Sequence, residues 1–501
     1  MQIPERKLCQ TGVPGLDQVL CGGLPPNRIY LVQGDPGVGK TTLGLQFLME
    51  GVRHGETALY ITLSETNEEL QEVAQSHGWN LKGLHTFELA SIDAQLSAET
   101  ENTFFHPSEV ELNKTTKVLL DEIERIKPVR IVFDSLSELR LLSETPLRFR
   151  KQMLSLKQFF VGRGCTVLFL DDQTAGLRDL RMESIARGVL SLNKSLPVYG
   201  VSRRTFHVEK VRGMKYREGF HDYIIDRGGL VIFPRLVASE HHREFKRQSF
   251  ATGIKGLDAL LGGGLDRGTS TIFMGPPGTG KSTVAMRYAF AAASAGERVH
   301  FFHFDETTGT LMCRARELGM GFEPLIKEGM LKIQQVDPAE ISPGELTHLI
   351  RQAVDHEKLR LVIIDSLNGY LNAMPEERFL SLQLHELLAY LNQQGVITIL
   401  VLAQQGMIGN MRAEVDLTYL ADTVVLHRYF ETRGEVRQAI SVIKKRSGNH
   451  ERSIREFRLD GQGIHVGPPL KEFHGVLTGV PKYEGNSEQI LKTDEAGAPR
   501  F

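Results

Sequence analysis

The sequence predicts an α/β chain in which one architecture is built twice in tandem, each copy a mainly parallel twisted sheet with helices on both faces. Three observations carry this expectation. The stretch GDPGVGKTT, Gly34 to Thr42, has a near synonym in GPPGTGKST, Gly275 to Thr283. The chain aligns with itself at an offset of 241 residues, which brings TGVPGLD (Thr11 to Asp17) onto TGIKGLD (Thr252 to Asp258), Lys40 onto Lys281 and Glu65 onto Glu306. Each half also alternates short, continuously apolar runs with helix-length segments, the pattern of strands buried on both faces.

Taken in order, the strands of the first half are expected near RIYLVQ, TALYITL, VRIVF and TVLFL, and those of the second near STIFM, RVHFFHF, LRLVII and ITILVL. Further along, the offset falls to 231 residues, where IVFDSLSEL (Ile131 to Leu139) meets VIIDSLNGY (Val362 to Tyr370). The first half therefore holds an insertion within 91–118, whose polar, aperiodic composition reads as a surface loop. The charged run SEHHREFKRQSF reads as a linker, giving a first domain over 1–238, a linker over 239–250, a second domain over 251–470 and a C-terminal segment over 471–501. From about Gly479 onward periodicity is lost, as in a flexible tail.

A length of 501 residues exceeds what one core usually supports. Lys+Arg 59 against Asp+Glu 61 leaves a formal charge of −2, which gives no bulk electrostatic case for a nucleic-acid or membrane partner. Cys9, Cys21, Cys165 and Cys313 are too scattered for a zinc pattern or a disulfide framework. The N-terminal MQIPERKLCQTG has no apolar core of signal-peptide length, and no run approaches a membrane span, so the expected location is the cytoplasm.

Each glycine-rich loop follows an apolar strand and opens a helix, the setting in which backbone N–H groups wrap a phosphate, the lysine reaches the outer phosphates and the hydroxyl holds Mg²⁺. Asp134 and Asp365 end later strands, where a Walker B carboxylate meets the Mg²⁺ shell; the competing reading is that each Asp-Ser pair caps the next helix. LSET (Leu63 to Thr66) and FDET (Phe304 to Thr307) place acids where a nucleophile near the γ-phosphate could be oriented, or where a helix dipole could be complemented. The first has one carboxylate, Glu65 beside Ser64; the second has two, Asp305 and Glu306. EKVRG and IKKRS put Lys210 with Arg212 and Lys444 with Arg446 on one face of a strand. That suits a phosphate clamp supplied by a neighbouring subunit, and equally a solvated edge strand.

With these motifs, the TGxxGLD openings and SIREF at Ser453 to Phe457, the chain resembles the KaiC family of RecA-like ATPases from about residue 8 to 480. The resemblance implies two RecA-like P-loop NTPase domains, a two-tiered homohexamer with ATP between neighbours, and a KaiB-type partner on the first tier. It further implies slow ATP hydrolysis in the first tier and autokinase with autophosphatase activity in the second, and it raises the clamp reading above its rival. Carried over by position, Gly37, Val38, Gly39, Lys40, Thr41 and Thr42 hold the first nucleotide, with Ser76, Lys210, Val211, Arg212 and Asp226 closing around it. Gly278, Thr279, Gly280, Lys281, Ser282 and Thr283 hold the second, with Leu318, Lys444, Lys445 and Arg446. Thr41 with Asp134, and Ser282 with Asp305 and Asp365, are the expected Mg²⁺ neighbours. Asp305 matches the family's general base for protein phosphorylation, supported by Glu306.

VDLTYLADT (Val415 to Thr423) aligns with the family's phosphorylated segment, its usual Ser-Thr pair standing here as Thr418-Tyr419. Thr418 keeps an aliphatic hydroxyl that a carboxylate can activate, whereas the Tyr419 oxygen lies further out on a rigid ring. Ser64 replaces one of two adjacent glutamates usual in the first tier, and Met214 and Tyr216 stand where the family more often has Thr and His. KEFHGVLTG (Lys471 to Gly479) is similar to the segment on which a KaiA-type partner acts, but the tail beyond it is short and different, which argues against dependence on KaiA. Two rival readings remain: a RecA-like DNA-dependent ATPase (recombinase or helicase), disfavoured by the charge balance, the lack of an added DNA-binding domain and the family-specific segments, and a binding platform with ATP as structural glue.

Overall fold

The computed structural model describes residues 7–63, 65–88, 107–143, 145–172, 182–197, 200–372, 380–404, 406, 417–432, 434–477 and 482–483. The chain divides into two compact units, Met1–Arg235 and Leu236–Phe501.

In the first unit the strands are β1 Ile29–Gly34, β2 Ala58–Thr62, β3 Leu84–Glu88, β4 Arg130–Asp134, β5 Thr166–Asp172, β6 Gly188–Ser195, β7 Arg203–Val211, β8 His221–Asp226 and β9 Gly229–Phe233. They form one sheet in the order β3-β2-β4-β5-β1-β6-β7-β8-β9. Six strands run parallel, β3 through β6, and β7, β8 and β9 return as an antiparallel meander. Every residue of β1, β2 and β4 is buried, which is why these segments read as continuous apolar runs instead of alternating ones. Tyr30 and Val32 face one core, with the helix Lys40–Arg53; Ile29 and Leu31 face the other, with the helix Pro146–Val161.

The second unit repeats this plan. After a short pair, β10 Ser249–Phe250 with β11 Leu265–Asp266, come β12 Ser270–Gly275, β13 Val299–His303, β14 Leu331–Gln335, β15 Leu361–Asp365, β16 Ile397–Ala403, β17 Thr423–Thr432, β18 Glu435–Lys445, β19 Ile454–Asp460 and β20 Gly463–Pro469. Their order, β14-β13-β15-β16-β12-β17-β18-β19-β20, is that of the first sheet position for position. The expected fold class is thus met in both halves, with an antiparallel meander added to each parallel sheet.

The expected loop within 91–118 needs correction at its C-terminal end. Pro107–Ile126 is a 20-residue helix opening on proline, which has no N–H to leave unsatisfied in the first turn. Leu119 and Ile123, one turn apart, bury its far end. The apolar spacing that marks the helix lies mostly beyond the inserted window, so the window alone looked aperiodic. Residues 91–106 lie outside the described residues.

The segment read as a linker, 239–250, is partly built into the second unit: the His241 carbonyl accepts from Gln394, the Arg243 N–H donates to the Gln393 carbonyl at 3.3 Å, and Ser249–Phe250 pairs with Leu265–Asp266; Leu236 and Ala238, expected in the first domain, pack in the second unit's core. Within the C-terminal segment, Phe473–His474, in the part similar to the segment on which a KaiA-type partner acts, pairs with Lys482–Tyr483, which the sequence suggested to be part of a flexible tail.

Each phosphate-loop helix starts from a glycine at positive φ, Gly39 at 98° and Gly280 at 86°. A Cβ on Gly39 would lie 2.5 Å from Ile225 Cδ1, and one on Gly280 2.6 Å from Phe457 Cε1 and 2.8 Å from Leu459 Cδ1. Backbone freedom and close approach therefore both demand glycine. The aromatic residue of SIREF is the floor beneath the second loop.

Candidate functional site

In the first half the lysine and hydroxyl of the loop helix converge on the ends of β4 and β5. The Lys40 ammonium donates to the carbonyls of Gly34 (2.8 Å) and Asp35 (3.0 Å) and lies 2.6 Å from Asp172 Oδ1. Thr41 Oγ1 donates to Asp134 Oδ2 at 2.7 Å, and the buried Tyr60 hydroxyl donates to the same oxygen at 2.5 Å. Burial first, then the Asp134 charge, keeps that phenol protonated far above its ordinary range, so it serves as a fixed donor.

Glu65 is set by a turn in which its N–H donates to Thr62 Oγ1 (2.9 Å) while that hydroxyl donates to the Glu65 carbonyl (2.7 Å). The N-terminus of the next helix is closed by a reciprocal capping box between Thr66 and Glu69. Helix capping thus has its own residues. Among the described residues Glu65 Oε2 is buried without a hydrogen-bond partner, and burial, with the charges of Asp134 and Glu69, pushes its carboxyl up to about 7. Such an acid can accept a proton near neutral pH. Ser64 lies outside the described residues.

In the second half Lys281 donates to the Pro276 carbonyl at 2.6 Å, and Ser282 Oγ donates to Asp365 Oδ1 at 3.0 Å. Asp365 Oδ2 is buried without a partner among the described residues. Burial pushes Asp365 up to about 6 and Lys281 down to about 8. The two adjacent acids diverge: Asp305 accepts a short hydrogen bond from Ser366 Oγ, whereas Glu306 forms a 2.6 Å ion pair with Arg314. Gly369 makes room for Asp305, since a Cβ there would lie 2.5 Å from Asp305 Oδ1.

The competing cap reading of the Asp-Ser pairs fares differently in the two halves. Ser135 makes no side-chain cap. Ser366 accepts a long 3.4 Å contact from the Gly369 N–H but gives its own proton to Asp305.

Behind the loops, Tyr223 donates to the Val38 carbonyl at 2.7 Å, and Tyr429 and Gln438 donate to the carbonyls of Pro277 (3.0 Å) and Gly278 (3.1 Å). His427 contacts the Thr279 carbonyl at 3.0 Å, and burial pushes it down to about 3, so it stays neutral. Val38 and Thr279 are buried within the loops; Thr42 and Thr283 follow the loops on their helices. Ser76 ends its helix next to His77, whose ring meets the Asp226 carbonyl at 3.0 Å, so Ser76 and Asp226 fall together; Leu318 ends the corresponding helix of the second half.

The basic pairs are elsewhere. Lys210 pairs across strands with Val189, which pairs with Leu31, three residues before Gly34; Lys444 pairs with Val424, which pairs with Ile272, three residues before Gly275. At about 3.3 Å per residue each lysine sits about 10 Å back from the loop end of the central strand, and two strands aside. Both pairs point further back. Lys210 donates to the Glu183 carbonyl and Arg212 to that of Ser184 (3.1 Å). Lys444 donates to the carbonyls of Thr418 (2.9 Å) and Ala421 (2.8 Å), and Arg446 to that of Tyr419 (2.8 Å), with Asp422 3.5 Å away. Lys445 does not join them: strand alternation turns it to the carbonyls of Leu261 (2.6 Å) and Gly264 (3.2 Å) and to Asp266, and Val211 between the first pair is buried in the core. Met214 and Tyr216 pack against that core, the Tyr216 hydroxyl donating to the Glu209 carbonyl.

Sequence reading missed Tyr60, Asp172, Ser366 and Arg314. The first two were accessible by self-alignment, which sets Tyr60 against Phe301 and Asp172 against Ala403. The last two are visible only through side-chain contacts.

A family model described as a KaiC ATPase matches residues 9–237 and again 250–471. The chain is 27% identical to circadian clock protein KaiC3 of Synechocystis sp. over 491 residues, covering 96% of this chain and 95% of that one. It is 26% identical to the circadian clock oscillator protein KaiC of Thermosynechococcus vestitus, covering 95% and 92%, and 25% identical to that of Synechococcus elongatus, covering 94% and 91%.

Proposed function

The chain belongs to the KaiC family of ATPases, and from that premise we propose that it is an autokinase and autophosphatase as well as an ATPase, assembled as a two-tiered homohexamer with ATP between neighbouring subunits. The observation that carries this reading is the seating of Lys444 and Arg446 on the carbonyls of Thr418, Tyr419 and Ala421. Clamp and phosphoacceptor segment form one unit, turned from their own phosphate loop. A neighbour's loop can meet both at once.

In the first tier Glu65, raised toward neutrality, takes a proton from water as its oxygen attacks the γ-phosphorus, while Lys40 neutralises charge on the outer phosphates. In the second, Asp305 takes the proton of the Thr418 hydroxyl, and Lys281 and the clamp stabilise the transferred phosphoryl group. The residues fit Mg²⁺: Thr41 with Asp134, and Ser282 with Asp365 and nearby Asp305, pair a hydroxyl with a carboxylate, and Asp365 Oδ2 has no hydrogen-bond partner among the described residues. When bound, Mg²⁺ supplies charge neutralisation at the β- and γ-phosphate oxygens. The biological setting is timing or stress signalling through a KaiB-type protein on the first tier.

The test is incubation with radiolabelled ATP followed by mass-spectrometric mapping in the wild type, Thr418→Ala and Tyr419→Phe, with light scattering in the presence and absence of ATP and Mg²⁺. Label on Thr418 in a hexamer is the expected result. Tyr419, 59% exposed, is the lesser acceptor because its longer, rigid phenol overshoots a site shaped for an aliphatic hydroxyl. No retained label, or a monomer in both conditions, would overturn the reading.

A further inference from the structure

Register distinguishes the two phosphate loops at one place. In the first sheet Gly34 pairs with Asp172, the last residue of β5; in the second Gly275 pairs with Ala403, the last residue of β16. Among the described residues the first loop lysine alone has a carboxylate at ion-pair distance, Asp172 Oδ1 lying 2.6 Å from Lys40 Nζ, whereas Lys281 feels the Asp365 charge without an ion pair. The Asp172 carboxylate is held in place. Ser137 Oγ donates to Asp172 Oδ2 at 3.2 Å and accepts from the Asp172 N–H at 3.4 Å. Its neighbour Asp171 is engaged separately by Arg140 at 2.6 Å. In the second half Asn368 stands in place of Ser137 and exchanges two hydrogen bonds with the Ala403 backbone, and no acid occupies that strand end.

A lysine in this motif serves the β- and γ-phosphates. A fixed negative charge at ion-pair distance from it opposes the group nearest to it, and the γ-phosphate carries charge that a diphosphate lacks there. The effect is largest where solvent is excluded, and the Lys40 side chain is only 8% exposed.

We propose that Asp172 is a specificity-determining positioning residue of the first site: by sharing Lys40 with the outer phosphate it weakens ATP relative to ADP, a bias the second site does not have. The inference rests on the nucleotide-site reading above. It makes the first tier the half that surrenders its preference for triphosphate, through one residue at the end of one strand.

The test uses the full chain carrying Lys281→Ala, so that binding of fluorescent ATP and ADP analogues reports the first site. Asp172→Ala and the isosteric Asp172→Asn should each tighten ATP about tenfold and ADP no more than about threefold, and Asp172→Glu should restore the wild-type ratio. Conversely, Ala403→Asp in a Lys40→Ala chain should weaken ATP at the second site about tenfold. An unchanged ATP-to-ADP ratio in both neutral variants would overturn the role of Asp172 alone. Nucleotide binding that persists undiminished in the Lys40→Ala, Lys281→Ala double variant would overturn the site itself, and this inference with it.

Discussion

In the first half, one oxygen of Asp134 accepts from both Thr41 and Tyr60, and Asp172 stands on the loop lysine; in the second, Phe301 and Ala403 occupy those two places, Asp365 keeps an oxygen without a partner among the described residues, and a second acid, Asp305, is held by Ser366. The sheets beneath are the same, strand for strand. Backbone order and chemical character are therefore specified by different residues. Fully buried central strands fix where the loop, the Walker B carboxylate and the strand ends meet, while a few side chains at those ends decide which groups there carry charge. On the proposed reading, the same scaffold orients water in one copy and faces a protein hydroxyl in the other.

The sharpest way to break this comparison is to remove each lysine. Lys40→Ala should lower steady-state ATP hydrolysis on the order of a hundredfold while sparing self-phosphorylation, and Lys281→Ala should do the reverse. Parallel measurement of released phosphate and protein-bound label checks both, and normal labelling by Lys281→Ala would end the proposed division of labour.

Next in size is the base. Glu65→Gln should cut first-tier hydrolysis about a hundredfold. Because the Glu65 carboxyl is pushed up to about 7, wild-type hydrolysis should climb between pH 6 and pH 8 as it ionises. Folding responds with the opposite sign. A carboxyl raised from 4.5 to about 7 stabilises the fold fully below 4.5, and that contribution is lost as pH rises through about 7. The melting temperature of Glu65→Gln relative to wild type should therefore increase between those pH values and then level off, as thermal unfolding across a pH series would record.

The smallest effect is expected from Tyr60→Phe, which gives the first half the residue type found at Phe301. Loss of a buried hydrogen bond to a carboxylate costs about 1 to 3 kcal/mol, seen as a drop of a few degrees in the first-half unfolding transition. An unchanged transition would mean that Asp134 is held by Thr41 alone.

Much of this was legible before any coordinates. Strands such as RIYLVQ and STIFM carry an unbroken apolar centre because they are covered on both faces, and the loops between strand and helix carry their chemistry in the motif itself. The meanders β7–β9 and β18–β20 were harder, because one side of them is partly exposed and their alternation is interrupted by bulges that leave Glu209 and Ile443 without a cross-strand place opposite β6 and β17. Lys445 was carried over with Lys444 and Arg446 by position, and a period of two, not visible in that carry-over, turns its side chain to the opposite face. Arg314 on Glu306 and Ser366 on Asp305 depend on contacts between segments that no local pattern encodes.

The floors of the two loops also differ in how late they are made. Gly39 rests against Ile225 and Leu230, whereas Gly280 rests against Phe457 and Leu459. A chain leaving the ribosome from its N-terminus can finish the first loop's support once Leu230 has emerged, with most of the second unit still to be translated. The second loop waits in the same way for nearly its whole domain, which comes later in the chain. A nascent chain stalled before Phe457 would therefore carry a finished first loop and an unsupported second one, so that translation itself makes the two sites competent in sequence.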